Sequence, residues 1–99
     1  MRRTTRTDAN QAEIVRAFKA LGCLVHDTSA LGGGFPDLVV LAYGRPWLVE
    51  VKDGSKPPSA RKFTPDQVAF QQRGWLVSTV TSVDDVIALM TAMRPRASA

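Results

Sequence analysis

The sequence has little of what several functional classes require. It holds one cysteine and one histidine among 99 residues, which excludes an internal disulfide and a metal cage built from cysteines. No apolar run approaches the roughly 20 residues of a membrane span. The basic N-terminus MRRTTRTDAN is not followed by the apolar segment of a secretion signal. We therefore expect a cytoplasmic protein in which Cys23 is a buried free thiol.

The composition is typical of one globular domain. It has 44% hydrophobic and 22% charged residues. A chain of 99 residues is long enough for one hydrophobic core but too short for a second domain. We expect a single domain over residues 1–99, with a basic arm at residues 1–7 and a loose tail at residues 94–99.

Acidic residues are outnumbered by basic ones. The chain has 13 Lys and Arg against 9 Asp and Glu, for a net charge of +4, which favours a polyanionic partner. The basic residues concentrate in the arm, with Arg3 and Arg6, and in a proline-containing segment with Lys56, Arg61 and Lys62. Ordinary solvated loops and a frayed tail would carry the same charges, so net charge alone does not identify the partner.

Hydrophobic periodicity and turn residues predict the element order α-β-β-β-α-β-α. The first helix is capped by Thr7 or Asp8 and runs to about Leu21. Thr64-Pro65-Asp66-Gln67 has the signature of a second helix start, with glutamine at the capping-box position. The remaining elements are strands at residues 23–28, 37–43, 46–53 and 75–80, and a third helix after Ser82.

This order predicts an α/β fold with a mixed central sheet. The strands at residues 37–43 and 46–53 are joined by a tight connection and should pair antiparallel. The third strand, the second helix and the fourth strand form a crossover unit, so these two strands should be parallel. Both faces of the middle strands must be shielded from water, so helices are expected on both faces of the sheet.

Three charged residues interrupt the apolar hairpin: Asp37, Glu50 and Lys52. A connection centred on Gly44 and Arg45 sets Asp37 opposite Lys52, with Glu50 diagonal to Asp37. Because side chains alternate along a strand, the three charged residues share one face. The other face is apolar and is expected to form the core: Leu38, Val40, Ala42, Trp47, Val49 and Val51.

Neighbouring strand positions bring two carboxylates within reach of one small ion. Mg²⁺ prefers oxygen ligands and often takes only one or two protein carboxylates, so Asp37 and Glu50 suit it. Lys52 beside them would orient or deprotonate an attacking water, or stabilise charge on phosphorus. The alternative is an Asp37–Lys52 ion pair with Glu50 at a solvated rim. The apolar-flanked strand position of Glu50 favours the metal site, because ionised groups in such positions are usually paired or bind metal.

The combination of Pro36-Asp37 with Glu50-Val51-Lys52 resembles the PD-(D/E)xK nuclease motif. The stretches GGFPDLVVL, WLVEVK, TPDQ and RGWLVSTVTSVDDV extend the likeness to the small VRR-NUC type of nuclease, over about residues 9 to 90. That family is related in fold to archaeal Holliday-junction resolvases. The resemblance implies a restriction-endonuclease-like α/β fold.

The resemblance also implies roles for individual residues. Asp37, Glu50 and the backbone carbonyl of Val51 would be metal ligands, and Lys52 would be the catalytic lysine. Glu13 matches a glutamate that many members bring to the site from the first helix, although a solvated helix glutamate would also explain it.

Gln67 matches the glutamine that opens the family's second long helix. In the family this glutamine is often near the metal. The capping box after Thr64 explains Gln67 equally well, so a place near the metal and a capping role compete for one amide. The loop before Pro36 departs from the family pattern: residues 32–34 are all glycine, where relatives tend to have one.

The expected function is a Mg²⁺- or Mn²⁺-dependent endonuclease that hydrolyses DNA phosphodiester bonds. Lys56, Arg61, Lys62, Arg3 and Arg6 would hold the phosphate backbone with little sequence preference, so selection of junctions, flaps or nicks is expected. Cutting two strands takes two sites, and a homodimer would supply them. The alternatives are a catalytically silent nucleic-acid-binding module and an RNA-processing relative.

Overall fold

The computed structural model describes residues 9–96. Within them the helices and strands follow the predicted order: α1 Gln11–Ala20, β1 Leu24–Asp27, β2 Leu38–Ala42, β3 Arg45–Val51, α2 Pro65–Gln72, β4 Val77–Val80 and α3 Val83–Met93. The segment between β3 and α2, predicted as a loop, also contains a short 3-10 helix at Pro58–Arg61. No helix in this range is long and apolar enough to cross a membrane. The predicted arm, with Arg3 and Arg6, and residues 97–99 of the predicted tail lie outside the described residues.

The described strands form one sheet in the order β1-β2-β3-β4. β1 pairs antiparallel with β2, and β2 with β3, whereas β3 and β4 are parallel. The parallel pair is joined through α2, as the crossover prediction required. The mixed sheet with helices is therefore the predicted α/β fold.

Helix α1 begins later than the sequence indicated. The prediction of a cap at Thr7 or Asp8 is wrong, because Asn10 holds the N-cap position and the helix starts at Gln11. The Asn10 side chain does not cap the helix. Its Nδ2 instead donates to the carbonyl oxygens of Lys52, at 3.2 Å, and Thr81, at 2.9 Å. Tertiary contacts with the ends of β3 and β4 thus override the local capping preference.

The β2–β3 hairpin is shifted by two residues from the predicted register. The turn is centred on Tyr43 and Gly44, whose φ angles are 55° and 76°, as a two-residue type I′ turn requires. Leu38 lies opposite Val49, so continuing the ladder sets position 37 beside Glu50. The predicted pairing of position 37 with Lys52 is wrong. A shift of two keeps every side chain on its predicted face.

The core lies between one face of the sheet and helices α1 and α3. The predicted core face of the hairpin is confirmed, with Trp47 packed at its margin. Helices α1 and α3 supply Ile14, Phe18 and Val86, all fully buried. Cys23 is a buried free thiol, as expected. Leu21, the predicted end of the first helix, follows the last residue of α1 and is 48% exposed.

Helix α2 packs on the opposite face of the sheet. Phe70 is its buried residue, and its ring lies 5.4 Å from the ring of Phe35 and 5.6 Å from that of Trp75. The capping box predicted from the sequence is present, with the Gln67 backbone N–H donating to Thr64 Oγ1 at 3.2 Å. The first turn of α2 is therefore fixed above the face that carries Glu50.

Gly34 is the point where the loop before β2 meets the start of α2. Its φ is +84°, and a Cβ there would overlap the backbone carbonyl of Asp66. Gly33 has a similar φ of +65°, but a Cβ there would meet nothing within 4 Å. The triple glycine, which departs from the family pattern, thus includes one position where close packing against α2 excludes a side chain.

We expect Gly34→Ala to lower the free energy of unfolding by about 2–4 kcal/mol, because backbone strain and overlap with a fixed carbonyl add together. Gly33→Ala is the matched control and should lower it by about 1 kcal/mol, from strain alone. Urea denaturation of the two variants gives both values. Equal losses would show that the contact with Asp66 is not tight.

Candidate active site

Asp37, Glu50 and Lys52 lie together on the α2 side of the sheet. Glu50 is only 3% exposed, and its Oε2 lies 3.6 Å from Lys52 Nζ. Asp37 Oδ2 accepts a hydrogen bond from the Val51 backbone N–H at 2.8 Å. The carboxyl groups of Asp37 and Glu50 also share a hydrogen bond. The open end of the β2–β3 hairpin therefore holds two neighbouring carboxyl groups, one of which contacts the ammonium.

The surroundings of Glu50 disfavour its ionised form. Burial is the largest cause, followed by the nearby charge of Asp37 and the hydrogen bond with it. Together these outweigh the opposing effect of Lys52 and raise the pKa of Glu50 to about 8. In the metal-free protein the surroundings thus favour the protonated form of the Glu50 carboxyl near neutral pH.

The Gln67 side chain links the α2 start to this cluster. Its Nε2 donates to Glu50 Oε2 at 2.6 Å, and its Oε1 accepts from Lys52 Nζ at 3.0 Å. The same Oε1 also accepts from the Thr64 backbone N–H at 2.9 Å. The sequence left capping and a place near the metal as competing explanations. One amide caps the helix and also contacts Glu50 and Lys52, because an amide oxygen has two lone pairs.

Two further groups contact the Lys52 ammonium. The Lys62 backbone carbonyl lies 3.4 Å from Nζ, and the Phe63 ring centroid lies 5.6 Å from it. Sequence reasoning missed both. An apolar residue just before a helix N-cap usually indicates a hydrophobic staple with the helix itself, so Phe63 carried no sign of contact with Lys52.

Glu13 is not joined to the cluster. Its side chain is exposed, and it makes no hydrogen bond or ion pair with any residue in the range 9–96. It lines a cavity of about 700 Å³ beside Asn10, Asp53 and Ser82, on the α1 and α3 side of the sheet end. Its catalytic role stays a prediction that this arrangement does not favour.

The basic segment between β3 and α2 borders the site. Lys56 and Lys62 are exposed, and Arg61 is half-buried at the end of the 3-10 helix. Lys62 contacts the site through its backbone carbonyl, which accepts a hydrogen bond from Lys52 Nζ. The segment predicted to contact phosphates thus starts and ends at the cluster.

The donors present fit a hard divalent cation better than a softer one. They are the carboxyl groups of Asp37 and Glu50, and Val51, whose N–H contacts Asp37, carries the carbonyl predicted as a further ligand; none of these is a sulfur or an imidazole. No group of three or more Asp, Glu, His or Cys side chains that could hold a metal occurs within residues 9–96. Mg²⁺ does not require one, because it commonly keeps several waters and takes one or two protein carboxylates. Neighbouring carboxyl groups that resist ionising together are also stabilised by a cation.

The raised pKa of Glu50 predicts an unusual pH dependence of stability. Without metal, folding should favour the protonated carboxyl, so the free energy of unfolding should fall as pH rises from about 5 to 8, by a few kcal/mol. Asp53 and Asp85 do not mask this trend, because hydrogen bonds from Ser55 and Thr81 hold their pKa values low.

Urea titrations in EDTA at several pH values measure this trend, and 10 mM Mg²⁺ should restore much of the lost stability at pH 8. A metal-free stability that stays level over this pH interval would contradict the assigned environment of Glu50.

Comparison with solved structures finds a similar fold described as a VRR_NUC domain. The two chains are 32% identical, with a TM-score of 0.60, and the match covers 88% of this chain and 100% of that one. No family model and no curated protein matches the sequence.

Proposed function

The chain belongs to the VRR-NUC family of nuclease domains, and on this basis we propose that it is a metal-dependent endonuclease that hydrolyses DNA phosphodiester bonds. The observation that carries the proposal is the buried Glu50 carboxyl, which lies beside the half-buried Asp37 carboxyl and in contact with Lys52. A pair of carboxyl groups that resist joint ionisation, beside an ammonium, suits a cation and a phosphate better than it suits a structural ion pair.

In this proposal Asp37, Glu50 and the Val51 carbonyl hold Mg²⁺ or Mn²⁺. When bound, the ion supplies positive charge to the scissile phosphate and acidifies the attacking water. The hydrogen bond from the Val51 N–H holds Asp37 in place, and the one from Gln67 holds Glu50. Both carboxylates are therefore oriented by the backbone and by α2 before a substrate arrives.

Lys52 acts on the reacting groups in this proposal. Its side chain is 11% exposed, so most of it is shielded from water. Its ammonium orients the attacking water, or stabilises the negative charge that gathers on the phosphate oxygens in the transition state. Gln67 positions Lys52 through the 3.0 Å hydrogen bond to its Nζ.

The substrate in this proposal is DNA with a particular structure. Lys56, Arg61 and Lys62 lie in the segment that borders the site and contact the phosphate backbone, together with Arg3 and Arg6 of the arm. Such contacts fix position without reading bases. We therefore propose selection of four-way junctions, flaps or nicks over a fixed sequence.

Each domain carries one such site, and cutting both strands of a junction requires two. We propose a two-fold homodimer as the solution. We propose the α3 surface as one candidate interface, since it exposes the apolar Ile87 by 50%.

The test is strand scission by purified protein on labelled duplex, nicked, flap and four-way-junction DNA, with Mg²⁺, Mn²⁺ or EDTA. We expect cleavage of the branched or nicked substrates with either metal and none with EDTA. Binding that is indifferent to Mg²⁺, with no scission, would identify a catalytically silent module. Cleavage only of matched RNA substrates would identify an RNA-processing relative.

A further inference from the structure

The Phe63 ring covers the Lys52 ammonium at the outer side of the site. The ring centroid is 5.6 Å from Nζ, within the distance at which a cation is attracted to the face of an aromatic ring. Phe63 is 39% exposed, whereas the Lys52 side chain is 11% exposed. The ring is therefore the more exposed partner of this contact.

Within residues 9–96, the other partners of the ammonium are oxygen acceptors. Glu50, Gln67 and the Lys62 carbonyl lie 3.6, 3.0 and 3.4 Å from Nζ. A lysine ammonium has freely rotating donors on a flexible stem, so oxygen acceptors alone do not fix its direction. A ring face on the remaining side limits its movement and keeps competing water away.

We propose that Phe63 is a positioning residue that holds the Lys52 ammonium in its reactive orientation. The proposal rests on the proposed nuclease function, in which Lys52 acts on the reacting groups. Phe63 follows Lys62, whose carbonyl contacts the same ammonium. The basic segment that borders the site therefore holds Lys52 through two consecutive residues.

A purely structural role does not account for the ring. Phe63 precedes the N-cap Thr64, where an apolar residue would pack against Val68, four positions into α2, as a staple. Val68 is 40% exposed, so a staple between two residues exposed to this degree would bury little apolar area. The contact with Lys52 requires an aromatic ring, whereas a staple with Val68 requires only an apolar side chain.

The experiment replaces Phe63 by mono-, di- and trifluorophenylalanine, which weaken the negative face of the ring while keeping its shape. Phe63→Leu removes the ring face, and Phe63→Tyr keeps it. We expect kcat for DNA cleavage to fall stepwise with fluorination, by about 3- to 10-fold at the end of the series. Phe63→Leu should lose at least as much, Phe63→Tyr should retain most of kcat, and KM and the thermal midpoint should stay nearly constant.

Val68→Ala is the matched control, because it removes the staple partner and leaves the ring. A fall in kcat for Val68→Ala equal to that of Phe63→Leu would overturn the proposal, as would a constant kcat across the fluorinated series.

Nuclear relaxation of the Lys52 side chain gives a readout independent of activity. We expect greater mobility at its Cε and Nζ in Phe63→Leu and wild-type mobility in Phe63→Tyr. Absence of cleavage by wild-type protein would refute the proposed function, whereas unchanged Lys52 mobility in Phe63→Leu would refute the positioning role itself.

Discussion

Glu50→Gln should abolish strand scission and, in the same protein without metal, raise stability at pH 8. The side chain keeps its shape and its hydrogen bond with Gln67, but it loses the negative charge that the site uses. We expect cleavage to fall by about 100-fold or more, as for loss of a main electrostatic group in other active sites. Because the pKa of Glu50 is raised to about 8, removing the ionisable group should stabilise the metal-free fold at pH 8 by on the order of 2–4 kcal/mol.

The opposite signs of these two effects make the prediction sharp. Asp84→Asn is the matched control, because Asp84 is an exposed carboxylate in the first turn of α3. It should change neither cleavage nor the pH dependence by more than the small effect of a helix terminus. Cleavage and urea denaturation on the same preparations test both effects. A Glu50→Gln protein that cuts at the wild-type rate, or unfolds more easily at pH 8, would contradict the roles given to this carboxyl group.

Lys52→Met should reduce kcat by about 100-fold or more while Mn²⁺ affinity stays close to that of the wild type. Methionine keeps most of the apolar stem but supplies no ammonium for the transition state. Lys52→Arg should restore little, because a planar guanidinium does not match the contacts with Gln67 and the Lys62 carbonyl.

Single-turnover cleavage and Mn²⁺ titration separate the two readouts. Lys19→Met serves as the control, since Lys19 is an exposed cation in the last turn of α1. Lys52→Met protein with unchanged single-turnover rates would remove the ammonium from the mechanism. Loss of Mn²⁺ binding together with cleavage would show that Lys52 supports the structure of the metal site.

The sequence predicted the fold correctly wherever a local sequence pattern is compatible with only one structure. Alternation along the hairpin set the apolar and charged faces correctly, because a two-residue shift cannot move a side chain to the other face. The helix start at Thr64 was correct in detail, since N-cap, proline and capping-box positions all agree there.

The predictions of the hairpin register and of the start of α1 were wrong, because neither feature is determined by the local sequence pattern. The hairpin register depended on whether Tyr43 accepts a positive φ, which its residue type does not indicate. The start of α1 depended on contacts of Asn10 with two strand ends.

The candidate site was predictable in its centre and not at its edges. Asp37, Glu50 and Lys52 stand out because ionised groups are rare in apolar strands. The double role of Gln67 and the contact of Phe63 with Lys52 depend on how the segment before α2 folds back over β3. No spacing in the sequence encodes that path.

The measurement that tests the central claim most directly is Mn²⁺ binding followed by electron paramagnetic resonance at pH 8. Wild-type protein is predicted to bind one Mn²⁺ per chain at this site, and Asp37→Asn and Glu50→Gln are each predicted to abolish that binding while Asp84→Asn retains it. Equal Mn²⁺ binding by all four proteins would contradict the claim that these two carboxyl groups hold the ion.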